Sequence, residues 1–172
     1  MKQSVWSLFV IIALLLAVNV WAASVRPVPE QGKGEYDATH VVELTYEDWS
    51  ETSTNTEETI TDLFVLEAKQ GVECVAMYLV EAFSTGNTNY TGSSALMVGD
   101  SGTNNAFLTS TELNSDGTEV WLKYGTSAQQ LYTSADYVSF TLTPNEEESL
   151  SELTAGKVRV YFRLRDADRE FE

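Results

Sequence analysis

From Gly71 to Leu113 the chain alternates apolar runs with polar turns at intervals of about ten residues. GVECVAMYLVEAF gives way to STGNTNYTGSS, then ALMVG, DSGTNNA and FLTSTEL. Apolar stretches this short, cut by Gly, Asn, Asp and Thr, predict strands joined by turns, and the spacing leaves no room for a strand–helix–strand crossover. The expectation is an antiparallel β-sandwich or barrel.

The N-terminus is a separate matter. Lys2 supplies a positive start, Val5 to Val18 are nearly all apolar, and Val20-Trp21-Ala22 offers small residues for cleavage after Ala22. Residues 1–22 therefore read as a secretory signal peptide. The apolar stretch is about 14 residues, against the about 20 that a membrane-spanning helix needs. An uncleaved anchor is the alternative, because apolar character continues through Trp21 to Val25. Cleavage leaves 150 of the 172 residues, the size of one domain. It removes one of the 10 basic residues, so 9 face 26 acidic ones and the net charge becomes −17. Such an excess repels the phosphates of nucleic acid and favours solubility. The chain is expected outside the cytoplasm, and at a membrane only if residues 1–22 are retained. Cys74 is the single cysteine, so no internal disulfide exists, and its place in an apolar run predicts a buried small hydrophobe.

Residues 23–39, with Pro27, Pro29, Gly32 and Gly34, read as an extended linker or arm that can reach a neighbouring subunit. A single domain is expected over residues 40–165, followed by a charged tail, 166–172. Val42, Leu44 and Tyr46 alternate with polar residues as in a half-buried strand. Ile60 to Ala68 is a second strand. Val72 to Phe83 fits either a helical stripe or a strand buried on both faces, and its β-branched content and β-like neighbours favour the strand. Ala95–Val98, Ala106–Leu108, Val120–Tyr124 and Tyr137–Thr143 follow, with the Asp116-Gly117 turn between the middle pair. Asn145 before Glu146, Glu147 and Glu148 reads as the cap of one helical turn. The tally is about eight short strands, best fitted by an antiparallel β-sandwich of jelly-roll type.

The last strand has the clearest pattern. Val158, Val160, Phe162 and Leu164 face inward, and Arg159, Tyr161 and Arg163 outward. Lys157, Arg159, Arg163, Arg165 and Arg169 make up half of the 10 basic residues in a strongly acidic chain. Two readings follow: an exposed edge strand guarded by charge, or a stripe that docks on an acidic surface, such as another copy of the chain.

Chemistry has little foothold. His40 is the only histidine and stands outside any motif, and neither a Gly-rich phosphate loop nor a His/Cys metal spacing is present. An enzyme is therefore not expected, and neither is a bound cofactor. Asp100, Asn104, Asn105 and Asp116 carry the hard oxygen ligands that calcium takes. They lack the alternating calcium-loop pattern, and their plainer reading is ordinary turn residues. Trp121 has the parity opposite to Val120 and Leu122. An outward Trp there, with Tyr124, would stack on a sugar or anchor a protein contact.

The order of segments resembles small virion structural proteins of tailed bacteriophages, those that decorate the head or form short fibres. It rests on Val80-Glu81-Ala82-Phe83 before a Gly/Asn/Thr turn, Val98-Gly99-Asp100, Phe107-Leu108-Thr109-Ser110-Thr111, Tyr132-Thr133-Ser134-Ala135-Asp136 and Leu153 to Tyr161 (LTAGKVRVY). These fall within residues 60–164. The resemblance implies a jelly-roll-like subunit that self-associates, and it carries no catalytic residue across. The leader departs from it, because virion proteins assemble in the host cytoplasm; an exported relative building a surface or appendage assembly accommodates both. The expectation is a non-enzymatic structural subunit forming a homo-oligomer, with a secreted carbohydrate-binding module as the alternative.

Overall fold

A computed structural model of the chain describes residues 24–27, 38–49, 56–85, 94–114, 119–121, 129–144 and 149–166. The expected leader, residues 28–37 of the arm, Asp116, Leu122, Tyr124, the Asn145–Glu148 cap, and Arg169 with the rest of the tail beyond residue 166 lie outside them. The strands in chain order are β1 (Ser24–Pro27), β2 (His40–Thr45), β3 (Glu58–Leu66), β4 (Gln70–Ser84) and β5 (Ala95–Gly99). They continue with β6 (Leu108–Glu112), β7 (Glu119–Trp121), β8 (Gln129–Leu131), β9 (Asp136–Thr143) and β10 (Ala155–Asp166). Short 3-10 turns occupy Tyr46–Asp48 and Leu150–Glu152. No helix among the described residues is long and apolar enough to cross a membrane.

The strands form two antiparallel sheets. One is six-stranded in the order β1-β2-β10-β4-β7, with β8 also paired to β4; the other is four-stranded, β3-β9-β5-β6. The pairings are nested: β2 with β10, β3 with β9, β4 with both β7 and β8, β5 with β6. The chain thus folds back on itself as one long antiparallel ribbon whose successive levels alternate between the sheets. β1 alone stands outside this nesting, as an added strand along β2.

One core cluster draws on both sheets: Val42, Leu44, Leu79, Val158 and Val160 from the larger, and Leu66, Leu96, Val138 and Leu142 from the smaller. An aromatic seam joins the layers. The Phe162 ring of β10 meets Phe64 of β3 at 5.2 Å and Phe140 of β9 at 6.1 Å, both edge to face. Such pairs add to the burial of three large rings. Trp49 sits edge to face with Phe83, 5.9 Å away, and its indole Nε1 is buried without a hydrogen-bond partner.

Of the inward positions expected for β9 and β10, Val138, Phe140, Leu142, Val158, Val160 and Phe162 are buried and Leu164 is half-buried. Ser139 and Thr141 of β9 and Tyr161 of β10, on the opposite parity, are buried as well. The expectation for the last strand's place fails in one respect: β10 is no edge strand, because it lies between β2 and β4. Its alternation and its long run of β-branched and aromatic residues suit a central position. The Val72–Phe83 run is strand, within β4, and its helical look has a cause. Against β10, β4 carries three register shifts at which it spends one extra residue. The shift beside Val75 changes the inward parity, so Val72, Cys74, Met77 and Leu79 all enter the core. The eight-strand tally misses β1 and β8, and β4 and β10, at 15 and 12 residues, are not short.

The last of these shifts sets Gly156 opposite Phe83. Its φ is +145°, and an added Cβ would stand 2.5 Å from Phe83 Cγ. Replacing Gly156 with Ala is therefore expected to cost about 2–4 kcal/mol through backbone strain and overpacking. Urea denaturation would show this as a lower midpoint with an unchanged slope.

Candidate functional site

Most of the described residues singled out by sequence lie at two places: the face of the larger sheet turned away from the core, and the loop after β5. On the outer face, backbone register aligns Val41 of β2, Tyr161 of β10 and Ala76 of β4, with Trp121 of β7 opposite Ala76. Val41, Tyr161 and Ala76 are buried together with Ala38, forming a second apolar cluster against which Tyr78 packs. This face is therefore not the plain solvated side that alternation in β10 predicts.

Ion pairs flank the cluster on both sides. Arg159 Nε donates to Glu43 Oε2 at 2.8 Å, across a directly paired position of β10 and β2. On the other side Arg163 Nη1 lies 3.2 Å and Arg165 Nη2 3.6 Å from the same Oε2 of Glu73 on β4. Glu73 is only 4% exposed, while the side chain of Arg165 keeps 48% of its surface in water. A carboxylate so buried requires compensation, and the two guanidiniums supply it. Lys157 pairs in register with Thr45 and with Glu81. The basic stripe is thus threaded between acidic residues of its two neighbouring strands. Glu73 was the residue sequence reading missed. A lone carboxylate inside an apolar strand, in a chain whose cations cluster on one other strand, is the signal that points to it.

The loop after β5 is organised by Asp100. Its Oδ1 accepts the N–H of Gly102 (2.9 Å) and of Thr103 (2.8 Å), and its Oδ2 accepts the Tyr132 hydroxyl at 2.9 Å. Burial and this carboxylate together push the Tyr132 phenol well above its ordinary value. Ser101 ties the same loop to Asp136 at 3.0 Å. Gly99 is required at its start, because an added Cβ would lie 2.0 Å from the Thr103 carbonyl oxygen. Asn104 and Asn105 are exposed in this loop. Both oxygens of Asp100 serve the turn and its anchor, which is the turn-residue reading in atomic form. Among the described residues no group of three or more His, Cys, Asp or Glu side chains is placed to hold a metal ion.

Two remaining reactive groups are built into the scaffold. Cys74 is fully buried, and burial raises its thiol far above the ordinary value. His40 begins β2 with its ring 5.7 Å from Phe64. Thr39 Oγ1 donates its one proton to the Phe162 carbonyl (3.3 Å) and accepts the Leu164 N–H (2.8 Å). That accounting assigns His40 Nδ1, 3.0 Å away, as donor to the same hydroxyl. No family model matches the chain, and no curated protein matches it.

Two measurements follow. Glu73→Ala removes the buried carboxylate that Arg163 and Arg165 share and is expected to cost about 3 kcal/mol, whereas Glu43→Ala, on a more exposed pair, is expected to cost about 1 kcal/mol or less. Parallel urea denaturation of the two variants would show the difference in midpoints. Burial lowers the His40 pKa below 6.5, so the fold favours the neutral ring. This contribution is complete above 6.5 and is lost as pH falls through the lowered value. The stability difference between wild type and His40→Gln should therefore shrink on acidification from neutral pH.

Proposed function

We propose that the chain is a non-enzymatic structural subunit of jelly-roll type that associates with copies of itself. The observation that carries this reading is the nested strand order. Leaving β1 aside, β2-β10-β4-β7 faces β3-β9-β5-β6, the first strand paired with the last and the second with the next to last. That order matches a ribbon rolled into a double-sheet jelly roll, an architecture used by viral capsid and lectin domains among others. The use made of polar groups also favours a scaffold. Glu43, Glu73, Asp100 and Asp136 each have a partner that fixes a strand pair or a loop. The setting we infer is a virion, as a decoration or fibre-like protein, or an assembly exported to the cell surface if residues 1–22 direct export. Self-association runs through the N-terminal arm and the outer face of the larger sheet, where Lys157, Arg159, Arg163 and Arg165 lie. The arm is the stronger part, because Arg159 and Arg163 are already engaged by Glu43 and Glu73.

A second reading, a secreted glycan-binding module, has one observation in its favour. Register sets Trp121 in the same row as Tyr161, with Tyr78 in the adjacent row. Rows of aromatic residues on a sheet suit sugar stacking. Tyr161 is only 3% exposed, however, which weighs against an open platform.

Light scattering on the purified protein, with and without calcium, separates the readings. A defined oligomer, ring or filament is expected. A strict monomer across the concentration range, with glycan-array binding that Trp121→Ala abolishes, would replace the structural reading with the second one.

A further inference from the structure

We infer that β1 is an exchangeable strand, and that the outer edge of β2 receives the β1 of a second copy of this chain. The inference rests on the self-associating reading above and names its surface and partner.

The nested pairs close both sheets without β1, so its four residues are an addition to a complete fold. Its register is defined: Ser24 opposite Glu43, Val25 opposite Val42, Arg26 opposite Val41, Pro27 opposite His40. Because β10 occupies the other side of β2, the β1 side is the larger sheet's outer margin and the place where another strand adds. The structure itself supplies the occupant, since a strand of this sequence is seated there.

The connection allows another copy to provide it. A hairpin joins antiparallel neighbours with two to about five residues, but twelve residues, 28–39, separate β1 from β2. A chain of that length spans up to about 40 Å, so it does not confine β1 to the β2 of its own chain. Pro27 and Pro29 also bias the residues before them, Arg26 and Val28, toward extended backbone, opposing an immediate reversal at the exit of β1. The main-chain hydrogen bonds of β1 on β2 are the same within one chain or between two, so exchange forfeits none of them. Exchange of an identical element is a low-cost route from monomer to assembly.

Cysteine trapping on this register tests it. Ser24→Cys and Glu43→Cys, combined in one chain, are expected to give covalent dimers or ladders on a non-reducing gel after oxidation at assembly concentration. Equal amounts of the two single variants, mixed, are expected to give a covalent dimer. The unmodified protein, whose one thiol is the buried Cys74, is the control. Arg26→Cys with Val41→Cys repeats the trap on the next row, should loss of the Glu43–Arg159 pair impair folding. Internally linked monomers from the double variant, with no link in the mixture, would overturn exchange, and so would the absence of any link. Light scattering of the internally linked chains keeps the two proposals distinct. Oligomers would mean self-association through another surface, and monomers would overturn the structural-subunit reading as well.

Discussion

The insertion of β10 between β2 and β4 is the constraint on which the rest of the structure depends. Its inward side chains, Val158, Val160 and Phe162, are fully buried, and Phe162 carries the aromatic seam to the opposite sheet. Its partners are remote in sequence: Arg159 and Glu43 are 116 residues apart, Arg163 and Glu73 90. Closure entropy for such contacts is spent before the contacts return anything. The larger sheet is incomplete until the end of the chain arrives, so its halves must wait as unsatisfied edges. Folding by this route is slow and leaves strands exposed in the meantime, and the chain's large negative charge counters association during that interval.

The ion pairs on the outer face make sense in that setting. A strand entering between two others has to find two registers at once, and a slip of one residue would turn its core residues to the wrong face. Arg159 opposite Glu43 fixes β10 against β2, and Arg163 with Arg165 around Glu73 fixes it against β4. The second site is the more exacting, because Glu73 is buried and β4 carries register shifts along this seam. A slipped register would leave that carboxylate desolvated and unpaired, which costs more than the correct pair gains. The cations concentrated on β10 are thus placed to act as register keys, a role independent of any partner.

Much of this was legible in the sequence where local and global preferences agree. The alternation in β9 and β10 marked the core-facing Val138, Phe140, Leu142, Val158, Val160 and Phe162, though not the burial of Ser139, Thr141 and Tyr161 on the other face. Cys74 sits in the core as its apolar surroundings imply. Legibility failed where a bulge or a distant partner decides the outcome. The inward residues of β4 follow neither period two nor a helical period throughout, because the shift beside Val75 changes parity partway along the strand. The central place of β10 was hidden for a different reason. Outward arginines look the same on an exposed edge and on a middle strand with glutamates on either side. Asp100, read as a calcium ligand or a turn residue, differs between those roles only in what its oxygens meet, and Tyr132 lies 32 residues away.

The margins of the two sheets are managed differently, and that bears on assembly. In the smaller sheet β3 is an edge that begins with Glu58 and has a register shift between Ile60 and Phe64. Charge and irregularity of this kind discourage a neighbouring strand. In the larger sheet the β2 margin has its regular register filled by a strand from the chain itself, ending in Pro27, whose missing N–H stops the ladder. Of these two margins, that of β3 is guarded by charge and irregularity and that of β2 by an occupant. A guarded edge discourages every partner alike, whereas an occupied one accepts a single sequence and leaves open only which copy provides it. Specific association is more readily built on the occupied edge, since its hydrogen-bonding register is already set and the other edge deters random pairing.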